Sequence, residues 1–139
     1  MAGFPLRVIT MNGVVYDDEA LSVQVPTDKG PLLIEPGYTN FIGAISPAGV
    51  LKIQTTKRNE YYAIFGGVID VKHGIGVTIY SEEINYGAEI DMARAIASRN
   101  RNLDRIEKKP EGIDLIRAKI KLAKALVRID VKRLSEGEK

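Results

Sequence analysis

Between residues 4 and 85, turn-forming residues cut the chain into short apolar runs. This punctuation limits the fold more than any other feature. A run of roughly four to six residues between turns is too short for a stable helix and suits a strand. Leu6, Val8 and Thr10 alternate, and Asn12-Gly13 is a hairpin signal ahead of Val14 to Tyr16. Further runs are Leu21 to Val25, Leu32 to Ile34, Asn40 to Ile45, Val50 to Gln54, Tyr61 to Phe65, Val68 to Val71 and Val77 to Tyr80. Asp28-Lys29-Gly30, Pro36-Gly37, Pro47-Ala48-Gly49, Arg58-Asn59, Gly66-Gly67 and His73-Gly74 lie between them. Strands recurring about every ten residues, with no helix between, predict an all-β sandwich or barrel.

The period changes near residue 90. Ile90-Asp91-Met92-Ala93-Arg94-Ala95 returns as Ile113-Asp114-Leu115-Ile116-Arg117-Ala118, and each copy opens a run of helical spacing. The first predicts a stripe of Ile90, Ala93, Ile96, Ala97, Asn100, Leu103 and Ile106. The second predicts Leu115, Ala118, Leu122, Ala125 and Ile129. Glu107 to Gly112, which contains Pro110, is the break. Residues 90–134 therefore read as an antiparallel two-helix hairpin with a seam partly of alanine, which lets helices approach closely but holds them weakly. Ser135 to Lys139 is polar and expected to fray. Charge changes at the same place: residues 1–89 carry 6 Lys/Arg against 10 Asp/Glu, whereas residues 90–139 carry 14 against 8. The expected boundary lies near Tyr86 to Glu89, with an acidic β-sandwich over 1–86 and a basic hairpin over 87–139.

Composition removes several kinds of chemistry. Without cysteine, and with His73 as the one histidine, the chain offers no disulfide, thiolate zinc site or histidine cluster. Asp17-Asp18 and Glu82-Glu83 are adjacent, so on strands their carboxylates point to opposite faces, and no nucleophile–base pair is visible. No catalytic residue and no metal site is expected. Met1 to Asn12 lacks the pattern of a signal peptide and no stretch approaches a membrane span, so the chain is expected to stay where it is made. Nucleic-acid binding is a rival suggested by the basic helices. They carry no interleaved aromatics and the front part is acidic, so no nucleic-acid partner is expected.

Three motifs in order carry a family resemblance: Gly30-Pro31-Leu32-Leu33-Ile34-Glu35-Pro36-Gly37, Gly66-Gly67-Val68-Ile69-Asp70-Val71, and Ile90-Asp91-x-x-Arg94-Ala95. With the order of parts, they make the chain resemble the epsilon subunit of bacterial F-type ATP synthases over nearly its whole length. The resemblance implies a ten-stranded sandwich followed by the hairpin. It also implies a non-catalytic central-stalk rotor subunit that couples the catalytic head to the membrane c ring. The expected partners are the gamma subunit, the c ring, and the alpha and beta subunits reached through the C-terminal helices. The expected location is peripheral, on the cytoplasmic side of the cell inner membrane, with membrane contact only through the complex. The resemblance implies further that a hairpin folded on the sandwich is permissive, whereas one extended into the head inhibits ATP hydrolysis. No cofactor is required, and ATP is a possible regulatory ligand. A free-standing nucleotide-sensing or scaffold module with the same fold is the alternative.

The resemblance points to Ile90, Asp91, Arg94, Arg101, Arg117, Lys124 and Arg128 as a possible ATP site. Arg94, Arg101 and Arg105 fall along one side of the first helix, and Arg117, Lys121, Lys124 and Arg128 form a stripe on the second; the residues alone leave three readings of these basic stripes open. They can be solvated faces, arginines gripping phosphates in bidentate fashion, or a surface for the acidic catalytic subunits. Lys124 replaces an arginine of the ATP-binding members, and Asn85 replaces an acidic residue. Asp91 and Asp114 are expected as helix N-caps. On the sandwich, Gly30, Pro31, Leu32, Glu35 and Tyr38 match the region that meets the c ring or gamma, with Pro31 and Tyr38 departing from the common residues. For Gly30, Pro36 and Gly37 turn geometry is the plainer reading. Gly66-Gly67 is expected to serve a tight turn or a close approach between sheets. His73 is expected in an exposed turn. Tyr16, Phe41 and Leu51 are expected to pack, while Tyr61, Tyr62 and Phe65 should divide between a core face and a face toward gamma.

Overall fold

The computed structural model describes residues 3–137. Ten strands come first: β1 (Phe4–Thr10), β2 (Gly13–Ala20), β3 (Ser22–Thr27), β4 (Gly30–Ile34), β5 (Phe41–Ile45), β6 (Gly49–Gln54), β7 (Asn59–Ile64), β8 (Gly67–Lys72), β9 (Gly76–Tyr80) and β10 (Ile84–Tyr86). They form two five-stranded sheets, ordered β2-β1-β9-β8-β5 and β10-β7-β6-β3-β4. Every pairing is antiparallel except β1 with β9. One turn of 3-10 helix (Gly87–Glu89) then leads to α1 (Met92–Glu107) and α2 (Ile113–Gly137). Ser135 to Gly137 thus continue α2, and Glu138 and Lys139 lie outside the described residues.

Alternation along the strands builds the core. Leu6 and Val8, Val23 and Val25, Leu51 and Ile53, Ile69 and Val71, and Val77 and Ile79 are buried between the sheets at alternate positions. β7 breaks the rule, because Tyr61, Tyr62, Ala63 and Ile64 are all buried. Tyr62 and Ile64 face the sandwich core, whereas Tyr61, Ala63 and Phe65 form a second cluster with Ile90 and Val131. Val50 and Val127 pack against that cluster. The face of β7 expected to meet gamma is therefore covered by this chain's own α2. The Tyr62 hydroxyl donates to Glu60 Oε1 at 2.6 Å. Burial above all, then the bond and charge of Glu60, hold its pKa well above the ordinary value of 10.0.

Gly66 and Gly67 have φ of 81° and 134°. A side chain at Gly67 would collide with the Tyr80 carbonyl on β9, so the close approach lies within one sheet and not between sheets. His73 sits in an exposed turn, where its backbone N–H donates to Asn40 Oδ1 at 2.7 Å. Leu51 is fully buried and Tyr16 half-buried, but Phe41 is 42% exposed, lying beside Gly43 on the edge strand β5.

In the hairpin, Asp91 is the N-cap of α1: its carboxylate accepts from the Arg94 backbone N–H at 3.2 Å. Asp114 is not a cap. α2 begins at Ile113, and the Gly112 carbonyl accepts the first helical bond, from the Ile116 N–H at 3.2 Å. Asp114 instead lies in the first turn, where a carboxylate still suits the positive helix end. α1 is also rotated from expectation. Its buried residues are Ala95 and Asn102, while Ala93, Ala97, Asn100 and Leu103 are exposed. α1 packs essentially on α2 alone, so a small residue at the crossing serves better than a bulky one. Asn102 is tolerated there because its amide donates to the Ser98 carbonyl at 2.8 Å. α2 keeps its expected stripe, with Ala118, Ala125 and Ile129 buried.

Candidate functional site

The register of β10 prepares one wall of a site. Ile84, Asn85 and Tyr86 pair with Ile64, Ala63 and Tyr62, and the Phe65 N–H donates to the Glu83 carbonyl at 3.1 Å. Alternation therefore sends Ile84 and Tyr86 toward the sandwich core. It brings Glu83 and Asn85 to the side of Ala63 and Phe65, where α2 lies. α2 answers with Lys124 and Arg128, one turn apart, flanked by Val127 and Val131. Lys124 Nζ donates to Glu83 Oε1 at 3.0 Å, Arg128 Nη2 to Glu83 Oε2 at 2.7 Å, and Arg128 Nε to Asn85 Oδ1 at 2.8 Å. Both cations also sit over the Phe65 ring, Lys124 Nζ at 5.1 Å and the Arg128 guanidinium carbon at 4.8 Å from its centre. A little further along, Lys132 Nζ donates to the Ala88 carbonyl at 3.0 Å.

Beside this latch opens a cleft of about 510 Å³ between β10, the start of α1 and α2. Of the expected ATP-site residues, Ile90, Asp91, Arg94, Arg101 and Arg128 line it together. The volume falls within the ordinary range for a small-molecule site. Arg94 and Arg101 are exposed and form no ion pair among the described residues, which leaves both free for an anion. Asp91 is already engaged by its capping bond. Arg117 is not part of this cleft. With Arg105, Lys108 and Lys121 it lines a second opening of about 410 Å³ at the loop end of the hairpin. Lys124 lies beside the first cleft but is bound to Glu83. The stripe of Arg117, Lys121, Lys124 and Arg128 is thus divided between two environments.

Sequence reasoning missed Glu83 as the partner of both cations. The alternation of Glu83, Ile84, Asn85 and Tyr86 was the signal that could have found it. It also missed an exposed apolar row across the outer face of the first sheet. Val68 pairs with Tyr80, Tyr80 with Ile9 across β1, and Ile9 with Val14, and Val68, Tyr80 and Val14 are all well exposed. The expected contact residues on the other sheet divide in their roles. Gly30, Pro31 and Leu32 are on the edge strand β4, Pro31 and Glu35 are exposed, and Tyr38 packs edge-on against Phe4 at 5.4 Å.

Two family models match in tandem: "ATP synthase, Delta/Epsilon chain, beta-sandwich domain" over residues 3–86 and "ATP synthase, Delta/Epsilon chain, long alpha-helix domain" over residues 88–133. The chain belongs to the ATP synthase epsilon family. It is 31% identical to the ATP synthase epsilon chain of Bacillus licheniformis over 96% of this chain and 100% of that one. It is 34% identical to that of Desulfitobacterium hafniense over 96% and 99%. A similar fold occurs in the Euglena gracilis mitochondrial ATP synthase, with a TM-score of 0.81, 18% identity, and coverage of 91% of this chain and 79% of that chain. As an epsilon subunit it is a non-catalytic part of the ATP synthase complex. No helix among the described residues is long and apolar enough to cross a membrane.

Proposed function

We propose that this epsilon subunit is a rotor element of the central stalk in a proton- or ion-translocating F-type ATP synthase. In this reading it couples the catalytic head to the c ring through gamma, peripherally on the cytoplasmic side of the inner membrane. Its hairpin restrains ATP hydrolysis when it leaves the sandwich and reaches the alpha and beta subunits. A second chain of similar fold, at a TM-score of 0.64 and 13% identity, comes from the Tetrahymena thermophila mitochondrial "central stalk/cring". The exposed row of Val14, Val68 and Tyr80 offers an apolar surface on the sandwich.

The observation that carries the regulatory reading is how α2 is held. Val127 and Val131 make a small apolar contact, and a half-exposed charged latch completes it. A dock of that kind can exchange for another set of contacts of similar strength. ATP then biases the balance by binding the folded hairpin in the cleft of Arg94, Arg101 and Arg128, with no cofactor required. Reconstitution of the enzyme with residues 1–89 in place of the full chain tests the brake. Hydrolysis is expected to rise, and an unchanged rate overturns the regulatory role. Calorimetric titration of the full chain with ATP tests the ligand. Saturable binding lost in Arg94→Ala and Arg128→Ala is expected, whereas no heat at millimolar ATP returns the arginines to the acidic surface of the catalytic subunits.

A further inference from the structure

The latch holds one of the groups a nucleotide needs. Of the Arg128 guanidinium, Nε is committed to Asn85 at 2.8 Å and Nη2 to Glu83 at 2.7 Å, while the same residue lines the cleft that contains Arg94 and Arg101. A bidentate grip on phosphate uses two neighbouring N–H groups of the fork, and here such groups already face a carboxylate and an amide. The other Glu83 oxygen holds Lys124 at 3.0 Å. We propose that Glu83 is a tethered competitor for the anionic ligand of this cleft: its carboxylate engages Lys124 and Arg128 over Phe65, and a polyphosphate gains their full set of donors only by displacing it. The inference rests on the nucleotide reading of the cleft and adds what regulates it.

Glu83 suits the role because it cannot drift away. Its backbone is fixed by the bond from the Phe65 N–H, so its carboxylate acts at a high effective concentration. Its hold remains reversible, because the side chains of Glu83, Lys124 and Arg128 are 40%, 32% and 27% exposed. The apparent affinity for a polyphosphate is then the intrinsic affinity reduced by the fraction of molecules in which the latch is open. The two anions act on different walls. Glu83 ties α2 to β10, whereas a ligand between Arg94, Arg101 and Arg128 ties α2 to α1. Bound ligand therefore shifts the polar hold on α2 from the sheet to its neighbouring helix, while Val127 and Val131 stay on β7.

The test is calorimetric titration of the full chain with ATP, and with inorganic triphosphate as a base-free probe. The variants are Glu83→Gln, Glu82→Gln, Arg128→Ala and the double variant Glu83→Gln/Arg128→Ala. Glu82 is the control for charge alone: it is the exposed neighbour of Glu83 and forms no ion pair among the described residues. Glu83→Gln is expected to tighten binding roughly three- to tenfold, Glu82→Gln to change it less than about twofold, and Glu83→Gln/Arg128→Ala to bind no better than Arg128→Ala alone. Hydrogen exchange without ligand gives a second readout, in which the amides of α2 exchange faster in Glu83→Gln than in Glu82→Gln. Wild-type affinity in Glu83→Gln, or an equal gain in Glu82→Gln, overturns the competitor while the nucleotide site stands. No binding in the wild type or Glu83→Gln removes the nucleotide site and the competitor with it.

Discussion

The sandwich and the hairpin are held together by different physics. Between the sheets lie branched aliphatic side chains, among them Leu6, Leu51, Ile53, Ile64, Ile69 and Ile79, all completely or almost completely buried. Between the helices the buried residues are chiefly Ala95, Asn102, Ala118, Ala125 and Ile129. Burial of a large aliphatic side chain contributes about 1.5 to 3 kcal/mol and is largely indifferent to salt, whereas a seam of alanines contributes far less per residue. The hairpin therefore leans on its dock, where Val127 and Val131 supply apolar area and Lys124 and Arg128 supply charge. One chain thus combines a part built to persist with a part whose placement other contacts can rival.

Substitutions that strike one region and spare the other test this contrast. Ile64→Ala removes a side chain buried in the sandwich and should cost about 2 to 5 kcal/mol in chemical denaturation. The hairpin should melt with it, since its dock is the same strand; a hairpin that kept its protection would break the comparison. Val131→Ala, on the helix side of β7, should cost roughly 1 to 3 kcal/mol. That loss should appear as faster hydrogen exchange in α2, with the sheets unaltered. Gly87→Ala attacks the joint, because a Cβ there would lie 2.7 Å from the Tyr61 carbonyl oxygen and 2.9 Å from Ser135 Cβ. Its cost, about 1 to 3 kcal/mol, should fall mainly on the last turns of α2, and equal loosening of both regions would place the strain elsewhere. Raising ionic strength is the mildest probe. Each latch pair should lose only some 0.2 to 1 kcal/mol, so exchange in α2 should quicken slightly while the unfolding of the sheets stays put.

Strands were legible where alternation and turn residues agreed, as in Leu6-Val8-Thr10 before Asn12-Gly13. β10 was harder to read, because its inward residues Ile84 and Tyr86 are only partly buried and its outward ones are polar. The helices were legible from the repeated hexapeptide, but their caps were not equivalent. Two copies of Ile-Asp open differently because the second follows Gly112 at φ 60°, and its helix starts two residues earlier relative to the aspartate. The face of α1 escaped a pattern based on hydrophobicity, since close packing selected Ala95 and a self-satisfied Asn102 over Leu103. In the site, spacing could align Arg94 with Arg101. It could not tell that Arg128 crosses to Glu83, 45 residues away, while Arg117 stays at the loop end.

β7 is a party wall. Its Tyr62 and Ile64 belong to the room between the sheets, and its Tyr61 and Ala63 to the room beneath α2. Other strands can take a polar residue at every second position and so absorb sequence change on their outer faces. β7 has no outer face while the hairpin is down. Any drift of its side chains is registered in both rooms, so a change chosen to loosen the helix carries a structural toll in the sandwich. The freedom to retune the dock lies instead with its moving half, at Lys124, Val127, Arg128 and Val131.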